Sequence, residues 1–166
     1  YLLRIEDIVK KQNTLHDYLT RYNNGEVNAE IIAAIAIKYE DRKENDKAAE
    51  YYAILINKYP DLTSEYYKQG KFFLASHDFV NGNENALKDY VTDNLDSSFH
   101  YDAYKRMVFH YADTEQREKE LTIYSEMLSI FPSNPSALNT YAWRMAEIET
   151  NLEDALLKAR KAVLIT

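Results

Sequence analysis

Four residues at helical spacing recur four times along this chain, and that recurrence restricts its fold more than any other feature. The quartets are Ile32, Ile35, Ala36, Tyr39; Tyr66, Gln69, Gly70, Phe73; Tyr104, Met107, Val108, Tyr111; and Leu138, Tyr141, Ala142, Met145. Each quartet occupies i, i+3, i+4 and i+7, the spacing that lines one face of a helix. Their first members are 34, 38 and 34 residues apart. A single helix cannot hide such a face alone, so the pattern predicts helix pairs leaning on one another in series.

Punctuation keeps the same register. The first helix pair is predicted as Ala29 to Glu40 behind an Asn28 cap, a polar turn over Asp41 to Asn45, and Asp46 to Lys58 with Ala48, Tyr52 and Leu55 inward. Tyr59-Pro60 stops it, because a residue before proline is pushed out of the α region. The third pair, about Ser98 to Ala112 and Arg117 to Ile130 with Tyr124 and Met127 inward, stops at Phe131-Pro132. Tyr52 to Pro60 and Tyr124 to Pro132 are both eight residues. Between them, Ser64 to Ser76 is followed by a long connection over His77 to Asn83, and helix resumes near Glu84 with Ala86 and Tyr90; the extra length accounts for the step of 38. The fourth pair opens on Asn134-Pro135, a cap followed by proline at the first helical position. Asn151 is read as the cap of its second helix, with Asp154 completing a near capping box and Ala155, Ala159 and Ala162 forming a small-residue seam.

Composition fits a helical reading. The 166 residues are 46% apolar and 28% charged, with three Gly and three Pro, too few for the many turns of a β-sandwich. Fifteen Tyr suit helix seams close to water. A net charge of −7 makes nucleic acid and anionic membranes poor partners. No apolar run approaches the ~18 residues of a membrane span, so no membrane insertion is expected. The absence of cysteine removes thiol catalysis and disulfides from this sequence, leaving both cytoplasmic and bacterial periplasmic locations open. The start at Tyr1 rather than Met is expected of a piece of a longer chain, so a missing signal sequence is uninformative.

With the quartets, the inner Ala48/Tyr52/Leu55 and the closing prolines in place, the chain resembles a tetratricopeptide-repeat (TPR) protein. The resemblance implies an all-α fold, an α-α superhelix: a TPR-like solenoid of about four helix pairs with an N-terminal extra helix. Residues 1–25 are expected to be a capping helix or the tail of a preceding domain, with apolar stripes at Leu2, Ile5, Ile8, Val9 and at Leu15, Tyr18, Leu19, Tyr22. Residues 26–166 are the helical-repeat domain, with repeats at about 29–62, 63–100, 101–134 and 135–166. Glu120 departs from the pattern, standing where a small residue is expected; it implies a looser helix pair or a glutamate turned to solvent. A narrower resemblance, carried by Asn139 to Met145 and Asn151 to Leu156, is to the C-terminal helical-repeat extension of bacterial thioredoxin-like proteins. It implies an accessory or dimerising domain whose redox cysteines lie upstream; the alternative is an ordinary amphipathic cap helix at Tyr1 to Val9.

In such a fold, function is expected on the concave face, lined by first-helix residues one turn away from the quartets. That rule places Glu30, Ala33, Ile37 and Glu40 there, then Tyr67, Lys71 and Leu74, Asp102, Lys105, Phe109 and Ala112, and Asn139, Trp143 and Ala146. The candidate groove residues are Tyr67, Lys71, Lys105, Phe109, Asn139 and Trp143. Rings beside cations suit an extended protein or peptide segment with an apolar anchor and a carboxylate; the other use of Trp143 is packing on the next helix. The family's Lys/Asn carboxylate clamp is not expected, since only Lys105 matches it, and Asp102 and Phe109 replace the Lys and Asn required. His16, His77, His100 and His110 lack metal-ligand spacing, and no nucleophile motif or phosphate loop is present. The expectation is a non-enzymatic binding scaffold with no cofactor and no metal, open to homodimerisation through exposed stack ends.

Overall fold

The computed structural model describes residues 29–165. The N-terminal helix read at residues 1–25 and the Asn28 cap lie outside the described residues. Every regular element among the described residues is an α-helix, in order α1 (Ala29–Asp41), α2 (Asn45–Lys58), α3 (Glu65–Val80), α4 (Ala86–Asp93), α5 (His100–Asp113), α6 (Arg117–Ile130), α7 (Pro135–Glu147) and α8 (Leu152–Ile165). They fall into two units, residues 29–99 and 100–165. No helix among the described residues is long and apolar enough to cross a membrane.

In the 29–99 unit, α1 packs on α2 and α2 on α3. The first quartet is buried, together with Ala48, Tyr52 and Leu55 from α2. Burying side chains such as Tyr52 and Leu55 completely contributes about 1.5–3 kcal/mol each. Tyr52 also rests on Gly70: a Cβ there would lie 2.8 Å from the ring's Cδ1. The Tyr52 hydroxyl donates to Glu40 Oε2 at 2.7 Å, and Gln69 Nε2 donates to the same oxygen at 3.1 Å. Gln69 therefore ties α3 to α1 by a polar contact at a quartet position. Burial, then the bond to Glu40, pushes the Tyr52 hydroxyl well above its ordinary pKa.

The second helix pair differs from the sequence expectation. Helix α3 runs on through His77, Asp78, Phe79 and Val80, which were read as connection, and α4 is only eight residues long. Phe79 is buried, extending the inner face past Ser76, and His77 Nε2 lies 3.0 Å from Asp46 Oδ1 on α2. Those two contacts hold the extra turn helical, so the added residues lengthen the helix rather than the loop. Beyond it, Phe72 stacks on Phe99 with centroids 5.3 Å apart and tilts against Tyr90. Ser98 hydrogen-bonds Glu65.

The 100–165 unit repeats the plan with α5 on α6, α6 on α7 and α7 on α8. Its core holds Met107, Val108, Ile123, Tyr124, Met127, Leu138 and Met145. Helix α5 starts at His100, two residues later than expected. Asn134 caps α7 as read: its side chain accepts from the Ala137 N–H at 3.1 Å, with Pro135 at the first position. Asn151 does not have cap geometry. Its φ is 48°, in the left-handed region rather than the extended one, and Asp154 turns to Lys158 at 3.1 Å instead. Ala155 and Ala162 are buried in the small-residue seam.

Three of the turns within helix pairs share one device. Lys43, Glu115 and Glu149 have φ of 60°, 58° and 51°, and the next residue's N–H bonds back to Tyr39, Tyr111 and Met145, the last member of each quartet. This is the left-handed helix ending usually given to glycine, made here without one. Helices α2 and α6 also end alike, with Tyr59 and Phe131 near φ −130° and −115° and their N–H groups bonded to Leu55 and Met127. Asn94 ends α4 in the same way without a following proline.

Candidate functional site

The six residues read as a groove fall into different settings. In the 29–99 unit, Tyr67 is buried and its hydroxyl donates to the Pro60 carbonyl at 2.9 Å. Ala33, from the same rule, is buried as well. Lys71 Nζ lies 5.3 Å from the centre of the Tyr67 ring, so this ring and cation face each other rather than a ligand. In the 100–165 unit, Lys105 pairs with Asp102 at 3.1 Å and sits over the Tyr101 ring. An exposed i,i+3 pair of this kind contributes well under about 1 kcal/mol, but it does neutralise the lysine's charge locally.

Phe109, Asn139 and Trp143 come together. They line a groove of about 990 Å³ whose walls are α5, α7 and α8, with Tyr124 of α6 contributing to the lining. Trp143 is 77% exposed and Phe109 47% exposed. Each directly follows a buried quartet member, Val108 or Ala142, and so lies about 100° round the helix from it, which leaves the ring in water. Leu152 and Leu156 of α8, both about half exposed, extend the apolar surface. These leucines were not among the residues read from the sequence, although their spacing of four and the further step of three to Ala159 were visible there. Asp113 and Glu147 supply carboxylates at the rim. The cations expected beside the aromatics, Lys71 and Lys105, do not line this groove; Arg144 does, but Glu120 and Glu147 engage it, which leaves the Asp113 carboxylate as the free charge where a carboxylate-binding groove would be basic.

Below the groove lies the largest departure from the sequence reading. Glu120 is neither loosely packed nor turned to solvent: it is 1% exposed. Arg144 Nε donates to its Oε1 at 2.6 Å and Nη2 to its Oε2 at 3.3 Å, while Arg117 Nη1 donates to Oε2 at 2.8 Å. Arg144 Nη1 also reaches Glu147 at 2.6 Å. A carboxylate at this depth is tolerable because a guanidinium fork meets both of its oxygens. The hydrogen bonds to Glu120 and then to Glu147 raise the Arg144 pKa further above its ordinary value. Burial, with Glu120 nearby, likewise raises that of Tyr124. Arg144 is itself a wall of the groove, so this network fixes the helix that presents Trp143.

A second polar link joins α7 to α8. Burial, then a hydrogen bond to Asp154, pushes the Tyr141 hydroxyl up to about 12. Burial pushes Asp154 the other way from its partners, yet the bonds from Lys158 and Tyr141 win and hold its carboxyl below the ordinary range. Of the groove's charged side chains, Arg144 and Glu147 are engaged with each other and Asp113 stands exposed. Among the described residues no group of three or more His, Asp or Glu could hold a metal ion.

No protein-family model and no curated protein matches the chain. Among solved structures it is similar to a crystal structure of MamA, with a TM-score of 0.58 and 20% identity over 95% of this chain and 94% of the other. It is also similar to a second crystal structure of the MamA protein, with a TM-score of 0.57 and 20% identity over 98% and 90% of the two chains. At that identity the likeness concerns fold alone and lends nothing to the expected thioredoxin-like extension. Together with the helix pairs it shows an all-α, TPR-like fold of the α-α superhelix class.

Proposed function

We propose that the protein is a non-enzymatic scaffold that takes a protein or peptide segment into the groove of its 100–165 unit. A single observation carries this reading: a tryptophan more than three-quarters exposed on α7 lines one groove with a half-exposed phenylalanine on α5. Exposed aromatics in a concavity are the usual anchors of binding energy. Phe109 and Trp143 are the anchor residues and Asn139 the hydrogen-bonding one. Asp113 has no ion-pair partner among the described residues and favours a cation beside the ligand's apolar anchor. Tyr67, Lys71 and Lys105 stand outside this site.

Trp143 is the chain's one tryptophan, so its emission reports on the site directly. An array of short peptides carrying an apolar anchor, flanked in one set by Lys and in the other by Asp, is the test. The Lys-flanked set should bind and shift Trp143 emission to the blue. Trp143→Ala should weaken binding at least ~10-fold, as loss of an interface anchor does, while Lys71→Glu leaves it unchanged. An array with no binders, or binders indifferent to both Trp143→Ala and Phe109→Ala, rejects the groove.

A further inference from the structure

Helix α8 carries an apolar stripe that walls the groove with its first half, Leu152 to Ala159, and runs on past it to Val163. Leu152, Leu156, Ala159 and Val163 occupy i, i+4, i+7 and i+11, so they share one face. Val163 is 75% exposed, and Leu164 beside it 87%. A shallow recess at Ala159, Arg160, Val163 and Leu164 continues the surface past the groove. Isolated exposed leucines are ordinary, but a contiguous apolar face on one helix marks a contact surface.

We propose that this face pairs with a second copy of the chain, α8 against α8 and antiparallel, about a two-fold axis. Three features point to self-pairing. The gaps along the stripe are four, three and four, so they read the same in either direction. Antiparallel pairing therefore lays Leu156 on Ala159 and Leu152 on Val163, large on small in both cases, which allows close approach. The charges agree as well. Of the five charged residues on α8, Asp154 and Lys158 pair with each other, and Lys161 donates to the Pro132 carbonyl. Glu153 and Arg160 are left exposed, with no partner among the described residues. They stand seven residues apart on the same flank of the stripe. In the antiparallel pair each Glu153 comes within an arginine's reach of the other copy's Arg160, giving two equivalent ion pairs. A two-fold contact requires such self-complementarity. The interface is one helix wide, so the dimer is a weak one.

Sedimentation equilibrium of the whole chain, without peptide, tests this; Glu153, Arg160 and Val163 do not line the groove, so variants there separate the dimer from peptide binding. The wild-type chain should dimerise in the micromolar range. Glu153→Arg and Arg160→Glu should each weaken the dimer about tenfold through like-charge contacts, and the double reversal should restore it. Val163→Glu, outside the groove, should give a monomer with unchanged far-UV circular dichroism. Three outcomes overturn the proposal: a wild-type monomer throughout the micromolar range, which assigns the stripe to another protein's helix or a further segment; a dimer that both single reversals leave intact; or one that the double reversal fails to restore.

Discussion

In the 29–99 unit the carboxylate that organises the helix pair is Glu40, on α1; in the 100–165 unit it is Glu120, on α6. The two units match residue for residue at an offset of 72, since the quartets begin at 32 and 104 and at 66 and 138. At that offset Glu120 replaces Ala48, and Ala112 replaces Glu40. The acid has moved from one helix of the pair to the other, and its partners have changed with it. Glu40 is half-buried and served by neutral donors, Tyr52 and Gln69. Glu120 is fully buried and needs two guanidinium groups. Depth decides the difference, because a carboxylate still reached by water keeps part of its hydration, whereas one without water must meet a formal positive charge. The same packing plan thus tolerates either arrangement, provided the donor suits the depth.

The comparison breaks first at Arg144. Arg144→Ala leaves Glu120 buried with only the half-exposed Arg117, and should cost about 3–5 kcal/mol, read in urea by the Trp143 emission of the unit it belongs to. Glu120→Ala copies Ala48 and lets Arg144 keep Glu147, so it should cost less, about 1–3 kcal/mol. An equal cost for the two would mean that burial of the charge is not what separates the units. Next is Gly70→Ala, which gives the 29–99 unit the alanine already present at 142. The added methyl runs into the buried Tyr52 ring, so about 1–2 kcal/mol should be lost despite the better helix propensity, read by far-UV circular dichroism in urea. Smallest is the tyrosine pair. Tyr52→Phe removes a hydroxyl bonded to Glu40 and should cost about 1 kcal/mol. Tyr124→Phe removes a hydroxyl without a hydrogen-bond partner among the described residues, and thermal unfolding should barely register it.

The fold was legible wherever a residue's role is set by its near neighbours in sequence. Quartet spacing, the stops before Pro60 and Pro132, and the Asn134 cap depend on contacts within a few residues. Glu120 was not legible because its partner, Arg144, is 24 residues away on another helix. The extra turn of α3 was missed because His77 and Asp78 read as loop, while the contact that holds them helical comes from Asp46 on α2. Left-handed turns at Lys43, Glu115 and Glu149 carry no glycine to announce them. For the site, taking the residues that directly follow quartet members placed Phe109, Asn139 and Trp143 on one groove. It did not place Lys105, which a carboxylate three residues earlier claims, nor Tyr67, whose hydroxyl finds a backbone carbonyl inside the fold.

Glu120 also acts as an address. Chains built from look-alike segments risk shuffling, with one helix seated where its cousin belongs. Any helix laid over α6 has to deliver a guanidinium to the depth of that carboxylate, and α3, which carries Phe72 at the place equivalent to Arg144, would strand it dry and unmatched. The mistaken assembly is penalised at the moment it forms, and among the described helices α7 is the one that brings the matching key.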